Sequence, residues 1–411
     1  VREVLRDRSY AKLFTAQVVA LLGTGLLTVA LGLLAFDIAG GDAGVVLGTA
    51  LTIKMLAYVG VASLISAVTS HVPRKLLLVS SDAVRAGVAI SLPFVTEVWQ
   101  IYVLIFVLQA ASATFTPAFQ AVIPEVLPDE RQYTRALSLS RLAYDLESLV
   151  SPVLAATLLT VIGSHHLFVG TFIGFAGSAM LVLATGFPRM AAVEPAPFFE
   201  RLTRGARDFL RTPELRSLLA MNLVVATSTA MVIVNTVVLV QGGLDRSQSD
   251  VAVLLAGYGA GSMAVALALP RLLDRWPDRP FMLAGATALP IGLAAVSLVL
   301  ALPAGPGTWA LLLMLWLLLG GATSLILTPS ARLLRRASDG TSRPAVFAAQ
   351  FSLSHACFIL TYPTAGILGA VLGLPATALI LAGIGLLGAI AARSAWTRTL
   401  DVRQPVLTTL G

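Results

Sequence analysis

Twelve stretches of this chain are each apolar for long enough that a helix through them would reach across a bilayer. That fact constrains the fold more than any motif does. A hydrocarbon core about 30 Å thick needs roughly 20 helical residues. Runs of that length lie near 12–36, 44–69, 75–95, 100–123, 134–162, 167–187, 215–240, 250–272, 281–302, 308–331, 345–371 and 374–395. Only helices and closed barrels satisfy every backbone polar group in lipid. The expected fold class is therefore an all-α membrane protein of twelve transmembrane helices. Charged residues make up 12% of the chain, against about 25% in soluble domains.

The one long connector, 188–214, divides the runs six and six. This predicts an N-terminal six-helix bundle over 1–187, a cytoplasmic linker over 188–214 and a C-terminal bundle over 215–411. The linker holds Pro188, Pro195 and Pro197, then Glu200, Arg201, Arg204, Arg207, Asp208 and Arg211, a basic amphipathic pattern suited to a membrane surface. With the N-terminus in the cytoplasm, 24 of the 28 Lys and Arg fall in cytoplasmic segments. The positive-inside rule then puts both termini in the cytoplasm. The basic residues are spread over the loops and not gathered in one patch, so nucleic acid is not an expected partner. Arg2, Arg6, Arg8 and Lys12 precede the first run without a small-residue cleavage site, which reads as a retained span. A single cysteine, Cys357, excludes an internal disulfide or a Cys-based zinc cage.

The fifth run is the anomaly. On a helix Ser140, Arg141, Tyr144, Asp145, Glu147, Ser148 and Ser151 fall on one arc of roughly 160°, opposite Leu142, Ala143, Leu146, Leu149 and Val150. Ionisable groups at membrane depth are costly, about 2.5–3.5 kcal/mol each or more, and mark functional sites by default. Arg141 and Asp145 are spaced for an ion pair, which leaves Glu147 as the first choice for a titrating, proton-loading group. Lys54 stands ten residues into the second run, about 15 Å deep by helix rise. It either pairs with Asp145 or Glu147 or touches an anionic substrate. Asp82 and Arg85 in the third run are spaced for a structural pair.

Gln109, Asn222, Asn235, Gln350 and Tyr362, with Tyr144, are candidate cavity-lining groups. His355 and Cys357 carry ligand types that suit nickel, copper or zinc. Two residues apart they face opposite sides of a helix, so a joint metal site needs a local break, for which Pro363 is nearby. Gly257-Tyr-Gly259-Ala-Gly261-Ser-Met-Ala264 is a Gly-x-Gly-x-x-Ala fragment inside a span, where small-residue helix packing explains it better than a nucleotide site. The sequence holds no Walker loop, His-Glu-x-x-His or Gly-x-Ser-x-Gly, so neither an enzyme nor a cofactor is expected.

Ser70-His71-Val72-Pro73-Arg74-Lys75 follows the second run, and Asp274-Arg275-Trp276-Pro277-Asp278-Arg279 follows the eighth. This repeat resembles the loop signature Gly-x-x-x-Asp-Arg-x-Gly-Arg-Arg of the major facilitator superfamily. Arg74 and Lys75 survive in the first copy, with Ser66, Ser70, His71 and Pro73 at the other signature positions. Asp274 and Arg275 survive in the second, with Pro270 at the first Gly. Ser151-Pro152-Val-Leu-Ala155-Ala156 is similar to the superfamily's antiporter signature Gly-Pro-x-x-Gly-Gly. Phe106-Val-Leu-Gln109-Ala110 lacks the Arg that many drug/proton antiporters carry there, so proton coupling through that Arg does not carry over.

Phe347-Ala-Ala-Gln350-Phe-Ser-Leu-Ser354-His355, with Ala50-Leu-Thr-Ile-Lys54 and Arg141-Leu-Ala-Tyr144-Asp145-Leu-Glu147, resembles a narrower branch. That branch includes nickel-resistance permeases and enterobactin-type siderophore exporters. The resemblance implies two pseudo-symmetric six-helix bundles working by alternating access, with the site near the midplane. It implies a conformational latch at Arg74, Lys75, Asp274 and Arg275. The function expected on this basis is a secondary-active, proton-coupled exporter of the bacterial inner membrane, acting as a monomer. Its partners would be lipid, protons and a small-molecule or ion substrate. The cargo points first to a divalent metal such as nickel; the alternative is a siderophore or small amphipathic drug. A non-transporting membrane sensor is the remaining reading.

Overall fold

The computed structural model describes residues 4–61, 72–127, 129–186, 207, 209–273, 275–338 and 343–396. Twelve α-helices are described there, one on each apolar run. They are α1 (Arg8–Ala39), α2 (Ala43–Leu56), α3 (Arg74–Ser91), α4 (Val98–Val126), α5 (Glu130–Leu159) and α6 (Leu167–Leu183). The second six are α7 (Pro213–Val237), α8 (Gln248–Leu273), α9 (Asp278–Leu300), α10 (Pro306–Arg336), α11 (Arg343–Leu372) and α12 (Leu374–Ala395). Most of the linker, 187–206 and 208, lies outside the described residues.

Local chemistry sets several boundaries. The Asp7 carboxylate accepts from the Tyr10 amide at 2.7 Å, and Asp129 accepts from the Gln132 amide at 2.9 Å. These N-caps start α1 and α5 by satisfying amides that have no partner within the helix. Pro213 and Pro306 open α7 and α10, where a missing N–H costs nothing. Gly373, at φ 79°, is the single residue that reverses the chain between α11 and α12, a conformation favourable only without a Cβ. Two helices pass into π-turns, α2 over Ala57–Val61 and α7 over Val238–Gly243.

The packing repeats with an offset of six helices. α1 lies on α5 and α6, and α3 lies on α4 and α6; likewise α7 lies on α11 and α12, and α9 lies on α10 and α12. α2 leans on α4 as α8 leans on α10. Between the halves, α2 meets α11 and α5 meets α8, again equivalent pairs. Ile173, Met180, Ile291, Leu298, Leu386 and Leu387 project outward from α6, α9 and α12. Water would penalise such a surface, and lipid does not.

The repeat extends to hydrogen bonds. Lys12, the fifth residue of α1, donates to the Ala184 carbonyl at 2.7 Å, and Ser217, the fifth residue of α7, donates to the Ala392 carbonyl at 2.8 Å. Lys75, second in α3, donates to the Leu183 and Thr185 carbonyls at 2.7 and 2.9 Å. Arg279, second in α9, donates to the Trp396 carbonyl at 3.0 Å. Each half thus closes the carbonyl end of its sixth helix with side chains from its first and third, where helix carbonyls run out of backbone donors.

The end of the bundle away from the N-terminus is sealed between the halves. A Cβ on Gly48 of α2 would stand 2.6 Å from the Tyr362 carbonyl of α11, and one on Gly366 would strike the Gly44 carbonyl. A Cβ on Gly32 of α1 would stand only 3.0 Å from the Val237 side chain of α7, and Phe36 lies over Gly242. The polar contacts described at the N-terminal end stay within one half, as Lys12, Lys75, Arg279 and the Asp278–Arg336 pair show.

Candidate substrate and coupling site

Three described polar residues of α5 face α1. Ser140, Glu147 and Ser151 are spaced seven and four apart, which aligns them in one stripe. Ser140 Oγ donates to Gln17 Oε1 at 2.9 Å. Further along, Gly25 is what lets α5 approach. A Cβ there would collide with the Ser151 side chain and stand 2.7 Å from Glu147 Oε1. Gly23, two residues earlier, presents the other side of α1 to α6, where Thr171 Oγ1 donates to the Gly23 carbonyl at 3.0 Å. One Gly-Thr-Gly thus serves two helix contacts, a role that reading the run as uniformly apolar hides.

Lys54 comes from α2, one turn before the π-turn that holds Tyr58. π-turns inside helices recur at functional sites because they free backbone groups and shift side chains in phase. Lys54 and Glu147 are within each other's electrostatic reach. Lys54 also borders a small cavity of about 20 Å³, whose other walls include Thr24 and Thr28 of α1, Leu51 of α2 and Gln109 of α4. That volume suits about one water molecule. On its other flank the Lys54 ammonium lies 5.9 Å from the centre of the Tyr58 ring, the outer limit of a cation–π contact. Tyr58 in turn meets two rings of α11, Phe351 at 6.2 Å, edge-on, and His355 at 5.7 Å.

The other sequence-predicted residues separate into groups. Asp82 and Arg85 form a buried ion pair, with Ser178 donating to Asp82 at 2.7 Å. The guanidinium lies against Phe115 and Phe175 at 4.3 and 4.6 Å. Asn222 donates to Gln350 at 3.2 Å and joins α7 to α11. Asn235 and Tyr362 are buried, 1% and 6% exposed, away from the cavity beside Lys54. Asn235 donates to the Ala365 carbonyl at 3.1 Å and abuts Gly44 and Gly369, so both residues belong to the far-side seal. Both are polar types at helical spacing, and periodicity alone does not reveal which neighbour covers them.

His355 and Cys357 are not brought to a common point. His355 Nδ1 is 2.7 Å from the Phe351 carbonyl, and Cys357 donates to the Leu353 carbonyl at 3.4 Å, each four residues back on α11. Among the described residues no three His, Cys, Asp or Glu side chains gather as a metal site. Of the expected latch, Lys75 caps α6 as above, Arg275 is exposed, Arg74 is half-buried at the start of α3, and Asp274 lies outside the described residues. The side chains of Arg141, Tyr144 and Asp145 also lie outside them, although their backbone is helical.

Comparison with known proteins adds the following. The family profile of the Major Facilitator Superfamily matches residues 13–289 and, again, 218–407. An uncharacterized MFS-type transporter, YfiS, of Bacillus subtilis (strain 168) is 33% identical over 95 residues, 23% of this chain and 22% of that protein. Macrolide efflux protein A of Enterococcus faecalis is 25% identical over 154 residues, 35% of this chain and 47% of that protein. The matched stretch spans less than half the length of either relative. Among solved structures, a bacterial homologue of the human lysosomal transporter Spinster, inward-facing and unoccupied, superposes with a TM-score of 0.72. The identity there is 13%, with 95% of this chain and 97% of that one covered, and such a likeness is one of fold.

Proposed function

The chain belongs to the major facilitator superfamily, and on that premise we propose that it is a secondary-active, proton-coupled exporter of amphipathic organic molecules. The reading places it in the bacterial inner membrane with both termini cytoplasmic, its halves 1–187 and 215–411 rocking about a central site. In that orientation the sealed end is the outer one. Export then requires α2 to part from α11, and α1 from α7, where glycines now hold them together.

The observation that carries the coupling is Glu147, lodged against Gly25 of α1 in the electrostatic reach of Lys54. A carboxyl in that place gains or loses a proton with consequences for the helix contact beside it and for the cation across from it. A protonated Glu147 leaves Lys54 as the dominant charge, and an ionised one balances it. The state of one proton thus changes both the field a substrate meets and the α1–α5 contact.

Lys54 also weighs on the cargo. A divalent cation seeks several convergent carboxylate, imidazole or thiolate ligands, and an ammonium beside the cavity repels it. The metal expectation gains no support from the described residues. An organic molecule is suited by apolar walls with a few polar anchors, which Leu27, Leu47, Leu51, Lys54 and Gln109 supply. The macrolide-efflux relative points the same way.

The test is uptake of fluorescent amphipathic dyes into everted vesicles under an imposed pH gradient. Glu147→Gln is expected to cut gradient-driven transport more than tenfold, on the order of what removing one acid–base group costs, while the purified variant still binds dye. Transport that stays intact and pH-dependent in Glu147→Gln overturns the assignment of the coupling group. A wild-type chain that moves no dye overturns the exporter reading.

A further inference from the structure

Gln109 is 5% exposed and forms a wall of the cavity beside Lys54. A buried amide normally finds a partner. Here two N–H donors and an ammonium border one small space. The neighbouring hydroxyls have little donor capacity to add, because Thr24 and Thr28 spend theirs on the Ala20 and Thr24 carbonyls at 3.0 and 3.1 Å. The donors that border the space are therefore the Lys54 ammonium and the Gln109 amide. Beside it stands a group of rings, Tyr58 with Phe351 and His355, the last two 4.2 Å apart centre to centre. Phe351 keeps 42% of its surface accessible. The Lys54 ammonium lies 5.9 Å from the Tyr58 ring, so the cation borders the rings.

The geometry points to a substrate with a planar aromatic body and an anionic head, the head received by Lys54 and Gln109 and the body stacked against Tyr58, Phe351 and His355. This deepens the exporter reading and rests on it for the direction of transport, but not for binding. A carboxylate or sulfonate oxygen would accept from Lys54 Nζ and from the Gln109 amide. The rings come from opposite halves, Tyr58 from the first and the other two from the second. A planar body packed onto this group therefore touches both moving parts, as a transported molecule must. An anion leaving a compartment at negative potential is also helped outward by the membrane voltage.

Binding to the purified full chain in detergent, by calorimetry, separates this proposal from the transport reading. The probes are 2-naphthoate, 2-naphthylmethylammonium and the saturated decahydronaphthoate. Naphthoate is expected to bind, and each of the other two to bind at least several-fold more weakly. Lys54→Gln is expected to weaken naphthoate roughly tenfold or more, the scale of a lost hydrogen bond to a charged group. Phe351→Leu should weaken it about three- to tenfold, the scale of a ring contact. Lys54→Arg keeps the charge and should retain most of the binding. If Lys54→Gln does not fold, Gln109→Leu takes its place, with the same direction of effect. Equal binding of the three probes, no naphthoate binding at all, or naphthoate binding indifferent to both Lys54→Gln and Gln109→Leu overturns the proposal. Failure of dye efflux alongside selective naphthoate binding overturns the exporter reading and leaves this one standing.

Discussion

The two halves share a plan and differ in what they bury. Both pack their helices in the same pairs and close the ends of α6 and α12 with side chains from equivalent positions. The first half carries Lys54, Asp82, Arg85 and Glu147 within its spans. The second, apart from His355 and Cys357, holds its spans together with neutral hydrogen bonds. Tyr258 donates to Thr323 at 3.1 Å, Ser262 and Ser324 meet at 2.7 Å, and Trp316 donates to Thr236 at 3.1 Å. Its carboxylate–guanidinium contacts lie at helix ends, where Asp278 takes both Arg332 and Arg336. Counted from the first residue of each helix, Asp82 and Arg85 of α3 stand where α9 has Ala286 and Leu289, both fully buried. The second half therefore packs this place without a buried ion pair.

The largest effect is expected from breaking that pair one member at a time. Asp82→Ala removes the carboxylate from a guanidinium that is only 5% exposed and also takes away the acceptor of Ser178. Loss of one partner from a buried pair costs about 3–5 kcal/mol, whereas replacing both by packed apolar groups is often neutral. Giving α3 the residues of α9, Asp82→Ala with Arg85→Leu, should therefore restore most of the thermal stability that Asp82→Ala alone removes. Melting of the purified proteins in detergent decides it. A double variant as unstable as the single would show that the first half needs the pair for its fold, and the contrast between the halves would fail.

Glycines sharpen the comparison at the next level, because some lie within a half and others between halves. A Cβ on Gly320 would strike the Tyr258 carbonyl within the second half, while one on Gly366 would strike the Gly44 carbonyl across the seal. The first clash persists in every conformation, and the second is relieved when α2 and α11 part. Gly320→Ala is expected to lower the melting temperature by several degrees with little change in conformational balance. Gly366→Ala should do the reverse, favouring the state open at the far side. Spin labels at Asp42 and Val371, with Cys357 replaced by Ala, report it as a longer α2–α11 distance. An unchanged distance distribution in Gly366→Ala would mean that the seal is not a moving contact.

How much of this was legible in the sequence depends on the kind of contact. Apolar runs of sufficient length fixed twelve helices, because the bilayer leaves the backbone no alternative. The i,i+3 spacing showed the Asp82–Arg85 pair, and the polar arc on α5 singled out Glu147, because both lie within one helix and periodicity reads one helix at a time. Contacts between helices were less accessible. Gly25 has no polar atom to flag it, and its meaning comes from the Ser151 and Glu147 side chains that occupy its missing Cβ. Tyr58 reaches the rings of α11 from a π-turn, which a fixed 100° step does not anticipate. Asn235 and Tyr362 have the polarity of cavity walls but lie where the halves close. Lys75 was legible as a basic loop residue, yet its role depends on where α6 ends.

That last point gives the smallest of the expected effects. Lys75 holds two carbonyls at the end of α6, whereas Arg279 holds one after the end of α12. If these contacts are caps, each bond to a partly exposed group is worth about 1 kcal/mol. Lys75→Met should then destabilise its half somewhat more than Arg279→Met destabilises the other. Lys75→Arg, which keeps the charge at the carbonyl end of a helix dipole, should change little. Hydrogen exchange at the last turns of α6 and α12 isolates the local effect from global stability. Faster exchange confined to the capped helix is the expected result in both single variants. Unchanged exchange with impaired transport would instead assign Lys75 to the latch that its loop resembles, and the correspondence between the halves would stop at helix packing.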